Sequence, residues 1–276
     1  MQRFTTSDGV RLAYDDEGSG HPVVLVNGYC APASAWVLTR DALLAAGYRV
    51  IAFDRRAHGE SETPMFGQRM ARHGRDLAEL LDVLGEPSVT LVGASMGGNV
   101  IWAYVDQQGT DRLAGVVVVD QTPRMLNTAD WPYGFYGFDE RNAYVFATGV
   151  PATGRGRPAE LSAPAIARLV ERLGGPPRYR QGSAPETAGL LVDHSLQDWR
   201  DVAERAACPV LMVAGRDSQL WPCEHAAAAI AGNPRGRAIV IDDCGHAVNI
   251  DRPDRLNEEL LRFLAEVAPG GADRGA

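Results

Sequence analysis

The sequence predicts an α/β protein in which a mostly parallel, eight-stranded sheet is flanked by helices. Three observations carry that expectation. Six short apolar, largely β-branched runs, at residues 22–26, 49–53, 89–92, 115–119, 209–213 and 238–241, alternate with helix-patterned stretches, as parallel strands joined by crossover helices do. Ahead of them, Phe4 and residues 10–14 flank Ser7-Asp8-Gly9, which reads as an antiparallel hairpin on the sheet edge. Finally, 276 residues of 45% hydrophobic and 22% charged composition suffice for one large domain with an insertion, and exclude a disordered, collagen-like or disulfide-stapled chain.

After the hairpin and the 22–26 run, a first helix is expected over 34–46, followed by the 49–53 strand. A second helix fits 67–84, where Leu77, Leu80, Leu81 and Leu84 fall at i, i+3, i+4 and i+7 on one face. The 89–92 strand, a tight turn and a helix over 96–108 come next, then the 115–119 strand. The alternation stops after Asp120 and resumes only at Pro209. An excursion of that length needs helices of its own. It is read as a helical cap, 121–207, inserted into a core made of 1–120 and 208–268. Within the second core segment, helices are expected over 223–231 and 254–265, on either side of the 238–241 strand. Residues 269–276, rich in glycine and alanine, are expected to fray as a flexible tail.

All 27 basic residues are arginine, against 35 acidic ones, for a net charge of −8. Such a balance argues against nucleic acid or an anionic membrane as partner and for a small-molecule substrate. The lack of lysine excludes Schiff-base chemistry and a lysine-dependent phosphate loop. Cys30, Cys208, Cys223 and Cys244 contain no C-x-x-C pair and read as reduced thiols. Early charges, among them Arg3, Asp8, Arg11 and Asp15, leave no apolar signal-peptide core, so a cytoplasmic location is expected. Residues 87–105 are uncharged, but serines, glycines and Asn99 interrupt them, and they read as strand, turn and helix rather than a membrane span. No metal site is expected, because no H-E-x-x-H is present, and no dinucleotide, because no G-x-G-x-x-G follows the first parallel strand. A homodimer is left open.

The most specific local signal is Gly93-Ala94-Ser95-Met96-Gly97, a G-x-S-x-G between strand and helix. Small residues two positions either side of the serine permit the strained turn that lifts its hydroxyl clear of the sheet. A serine hydroxyl needs a base, and the base needs an orienting group. Of the six histidines, His246 follows the last strand in Asp243-Cys244-Gly245-His246, where it can reach the sheet edge that carries Ser95. His21, His58, His73, His194 and His225 read as surface or structural.

These motifs, with Val24-Leu25-Val26-Asn27-Gly28, Asp54-Arg55-Arg56-Ala57-His58-Gly59-Glu60-Ser61 and Gly245-His246 before Arg252-Pro253, resemble the α/β-hydrolase family over residues 1–268, and within it the cofactor-free esterase, lactonase and haloperoxidase-like (perhydrolase) members. The resemblance implies the α/β-hydrolase fold, no cofactor, and oxyanion donors in the backbone N–H groups of Tyr29 and Met96. Asn27 stands where the family usually has histidine, and Ala57 where it usually has glycine, which reads as a different turn. The family's usual acid lies three residues beyond the glycine closing the 209–213 strand, but that position is Ser218. Asp120, directly after the 115–119 strand, is the favoured acid, with Asp217 as the alternative.

Seven aromatic residues crowd 131–146. Trp131, Tyr133, Phe135, Tyr136 and Phe138, with Asn27 and Trp221, are expected to line an apolar or aromatic substrate pocket. The leading expectation is a serine hydrolase of an ester or lactone. Its rivals are a C–C hydrolase, perhydrolase or cofactor-free oxygenase on the same residues, and a receptor-like binding protein with weak or no turnover.

Overall fold

A computed structural model of the chain describes residues 1–179 and 185–268; the tail expected at 269–276 lies outside the described residues. Eight strands form one sheet: β1 (Gln2–Thr5), β2 (Arg11–Glu17), β3 (Pro22–Val26), β4 (Arg49–Asp54), β5 (Val89–Ala94), β6 (Leu113–Val119), β7 (Val210–Gly215) and β8 (Gly236–Ile241), in the order β1-β2-β4-β3-β5-β6-β7-β8. β1 and β2 are antiparallel, as is the β2–β4 pair, and every later pairing is parallel. The central strands are buried along their length; β3 is Pro-Val-Val-Leu-Val with no residue exposed. A continuous apolar run without alternation is the expected signature of a strand covered on both faces.

The helices are α1 (Val37–Ala45), α2 (Met70–Leu84), α3 (Met96–Gln108), α4 (Ala159–Leu173), α5 (Pro185–Leu196), α6 (Arg200–Arg205), α7 (His225–Ala229), α8 (Val248–Asp251) and α9 (Pro253–Val267). One apolar core lies between the sheet and α2 and α3, where Leu77, Leu80 and Leu81 are fully buried; the other lies under α9, with Leu256, Leu260 and Phe263. Three helices are shorter than expected. α1 is preceded by a 3-10 turn, Ala33–Trp36. α2 begins at Met70 rather than 67, because Gly67 takes φ +71° against the Arg56 guanidinium and Arg69 is extended. α7 is a short Ala-rich turn rather than a helix over 223–231.

Between β6 and β7 no strand of the sheet occurs among the described residues. That excursion holds two 3-10 turns (Glu140–Asn142 and Val145–Thr148) and α4, α5 and α6. The chain thus carries its first six strands in sequence, departs for almost ninety residues, and returns to add β7 and β8 at one edge.

Candidate active site

Ser95 sits where β5 hands over to α3, at φ 51° and ψ −134°. This is backbone that an L-residue adopts only under constraint, and the constraint is legible in its neighbours. A Cβ on Gly93 would fall 2.6 Å from the Gly97 carbonyl carbon, and one on Gly97 would fall 2.3 Å from the Val26 oxygen. Both positions must be glycine for the turn to close. The Ser95 N–H donates to Val119 O at 2.9 Å, tying the turn to the end of β6.

At the end of β6 is Asp120, also at positive φ (46°) and fully buried. Its Oδ2 accepts from His246 Nδ1 and from Ser218 Oγ, both at 2.7 Å, and its Oδ1 accepts from Gly215 N at 2.9 Å. His225 Nε2 lies 3.6 Å from Oδ1. Burial alone would raise this carboxyl's pKa; the facing His225 and His246 imidazoles outweigh it and hold the pKa down to about 2. With an ionised carboxylate on Nδ1, the imidazole proton lies there, and Nε2 accepts from Ser95 Oγ at 3.0 Å. Serine hydroxyl, imidazole and carboxylate thus form one hydrogen-bonded line.

The His246 loop is clamped by residues that the sequence did not single out. Gln219 Oε1 accepts from His246 N, and Asp251 Oδ2 accepts from Gly245 N, each at 2.8 Å. Trp221 is not among the walls of the cavity beside Ser95: it is 1% exposed and sets its ring edge-to-face against His246 at 5.2 Å and His225 at 6.0 Å. His225 is wholly buried beside Asp120, so of its two expected readings, surface or structural, the surface one falls away. Asp217 donates from its N–H to Cys244 O, and its carboxylate is not among the hydrogen-bond partners of the imidazole.

Gly28 lies close to Ser95, where an added Cβ would meet Ser95 Cβ at 3.0 Å and Oγ at 3.6 Å. This brings the loop after β3 beside the hydroxyl, and Tyr29 lines the same cavity. Met96 opens α3, so its N–H belongs to the first helical turn, where no intrahelical acceptor exists. Asn27 spends its amide on the loop, Nδ2 donating to Ala31 O. Ala57 takes φ +60°, a left-handed backbone that glycine adopts without strain and alanine does not.

The cavity opening on Ser95 and His246 measures about 150 Å³ and is walled by Asn27, Tyr29, Trp36, Asn249 and Ile250 among others. The expected aromatic lining is corrected here. Trp131, Tyr133, Phe135, Tyr136 and Phe138 are not among its walls. Phe135 and Phe138 each stack edge-to-face on Phe146 at 4.9 Å, Trp131 does so with Tyr133 at 5.3 Å, and Tyr136 lies under the Arg155 guanidinium. Rings crowded into one short segment satisfy one another, so their apolar surface is spent on packing the excursion to the core.

Among the described residues, no group of three or more His, Cys, Asp or Glu is arranged to hold a metal ion, and no helix is long and apolar enough to cross a membrane. All four cysteines are buried and unbridged.

Comparison with known proteins places this arrangement in context. A family model described as "alpha/beta hydrolase fold" matches residues 21–253. A non-heme haloperoxidase from Rhodococcus erythropolis is 30% identical over 277 residues, spanning 96% of this chain and 99% of the relative. A bifunctional esterase/perhydrolase from Acinetobacter calcoaceticus is 29% identical, spanning 96% of this chain and 99% of the relative. Among solved structures, a thermophilic esterase from Thermogutta terrifontis superposes with a TM-score of 0.78 at 26% identity, covering 97% of this chain and all of the other.

Proposed function

The chain belongs to the α/β-hydrolase family and is an enzyme of that fold, and from this premise we propose that it is a serine hydrolase acting on esters, including lactones, of small carboxylic acids. The observation that carries this reading is the hydrogen-bonded line Ser95–His246–Asp120, with steps of 3.0 and 2.7 Å. Ser95 Oγ attacks the ester carbonyl while His246 Nε2 takes its proton; Asp120 holds the imidazole in the correct tautomer and stabilises the imidazolium. The developing oxyanion is received by the N–H groups of Tyr29 and Met96, each contributing about 3 kcal/mol. His246 then protonates the departing alcohol, and a water activated by the same nitrogen hydrolyses the acyl-serine.

The dimensions of the cavity bear on the substrate. Ligand sites for drug-sized molecules run to roughly 300–1,000 Å³, whereas about 150 Å³ is available beside Ser95, so the acyl group is short. The 121–207 excursion acts as the cap over this site. Turnover should follow p-nitrophenyl acetate over butyrate over octanoate, and Ser95→Ala should abolish both turnover and labelling by a fluorophosphonate. A wild-type protein that hydrolyses none of these esters and resists labelling would overturn the reading.

A second activity on the same acyl-enzyme is supported by the relatives named haloperoxidase and esterase/perhydrolase. Hydrogen peroxide in place of water would attack the acyl-serine, releasing a peracid and returning the proton to Ser95 through His246. Peracetic acid formed from acetate ester and peroxide, and lost in Ser95→Ala, is its measure.

A further inference from the structure

Beneath the loop that bears the Tyr29 amide lies an arginine with no exposed surface, Arg55. Its Nη2 donates to Gly28 O at 2.8 Å and its Nε to Asn27 O at 3.1 Å. Further donations go to His73 Nδ1 and His58 Nε2, both at 2.9 Å, and to Met96 Sδ at 3.6 Å. His58 Nδ1 faces Arg56 O at 2.8 Å, which puts the imidazole proton there and leaves Nε2 as an acceptor. The two imidazoles thus meet the guanidinium as neutral rings. The buried carboxylates nearby are otherwise occupied: Asp76 is paired with Arg56, and Asp54 accepts from the N–H groups of Ala33 and Glu60.

Gly28 O and Tyr29 N–H belong to one peptide unit. In a trans peptide the two point in opposite directions, and the chain has no cis bonds among its described residues. A guanidinium holding the carbonyl from below therefore aims the N–H away from itself, and Gly28 and Tyr29 both line the cavity over Ser95. A charge-assisted bond to the carbonyl also polarises the unit, leaving the N–H a stronger donor. In a site closed to water, a fixed cation set behind the oxyanion donors opposes the negative charge that appears only during reaction.

We propose that Arg55 is a positioning residue for the oxyanion hole, fixing the direction of the Tyr29 N–H and polarising it through the Gly28 carbonyl, so that its charge is felt in the transition state more than in the bound substrate. The proposal rests on the reading of Ser95 as nucleophile and Tyr29 as oxyanion donor, and Ser95→Ala tests that reading separately.

The test compares wild type with Arg55→Lys and Arg55→Gln, using p-nitrophenyl acetate for kcat and KM and 1,1,1-trifluoroacetone, which forms a hemiketal oxyanion on an active serine, for inhibition. Arg55→Gln should lower kcat by about 10- to 100-fold with KM unchanged, and should weaken trifluoroacetone by the same factor. Arg55→Lys, which keeps the charge, should recover most of both. A loss of kcat without the matching loss of inhibition, equal loss in the lysine and glutamine variants, or full activity in the glutamine variant would each overturn it. Should Arg55→Gln not fold, Arg55→Lys decides alone. It should keep most of the wild-type kcat, with whatever fraction it loses matched by an equal loss of trifluoroacetone inhibition; a fall in kcat of about 10-fold or more, or a fall without the matching loss of inhibition, would refute the proposal. Wild type inactive toward the ester would strike the underlying reading instead.

Discussion

Asp120 reaches His246 from the end of β6, its Oδ2 2.7 Å from Nδ1, while Ser218, three residues beyond the glycine that closes β7, donates to that same oxygen, also at 2.7 Å. The carboxylate comes from β6 rather than from the position after β7 where the resemblance places the usual acid, and it meets Ser218 because β6 and β7 are parallel neighbours in register through Val119 and Val213.

Two asparagine substitutions separate the candidate acids. Asp120→Asn should lower kcat for p-nitrophenyl acetate by up to about 10⁴-fold, since the imidazole is then offered an amide that stabilises the wrong tautomer. Asp217→Asn should leave kcat near wild type, its carboxylate having no bond to the ring. Comparable losses in the two variants would remove the assignment of Asp120.

The acid's placement on β6 should be partly transferable to β7. In Asp120→Asn the double variant with Ser218→Asp puts a carboxylate where the family usually carries one, beside the same nitrogen. It should regain a measurable part of the activity lost in the single variant, with Ser218→Asp alone impaired by like-charge repulsion against Asp120. A double variant no more active than Asp120→Asn would mean that β7's loop cannot present the group to His246.

Much of this site was legible locally. Ser95 declares itself because the strand, the two glycines and the helix that force its backbone are contiguous. Asp120 was harder, because what selects it over Asp217 is the pairing of β6 with β7, a contact between residues almost a hundred positions apart. The aromatic segment misled for a different reason: ring density in a sequence reports how much apolar surface must be covered, not by what. The walls of the cavity come instead from Trp36, in the turn before α1, and from Asn249 and Ile250 on α8, segments far apart in the sequence that no spacing pattern unites. His225 was passed over because nothing in its neighbours announces that α7 turns it toward a buried carboxylate.

The aromatic correction has its own measurement. Phe146 is fully buried between Phe135 and Phe138, so Phe146→Ala should cost about 3–5 kcal/mol of stability in urea unfolding while KM for a short ester holds at its wild-type value. A large change in KM with little loss of stability would return these rings to the substrate.

Acid should destabilise the fold through a residue outside the Ser95–His246–Asp120 line. His194 on α5 is 3% exposed, and burial first, with the Arg55 charge second, holds its pKa down to about 3 from an ordinary value of 6.5. Between those two pH values the unfolded chain binds a proton that the folded chain refuses, so stability rises with pH across that window. The stabilisation is fully present above about pH 6.5, is eroded as the pH falls, and stops changing below about 3. From the same two pKa values, the erosion amounts to about 2 kcal/mol at pH 5. His194→Leu removes the titrating group, so its urea-unfolding free energy should decline less than that of wild type between pH 7.5 and pH 5, by about 2 kcal/mol. Every other ionisable group is common to both proteins and cancels in the comparison. Parallel declines in the two proteins would show that the His194 imidazole is protonated as readily inside the fold as outside it.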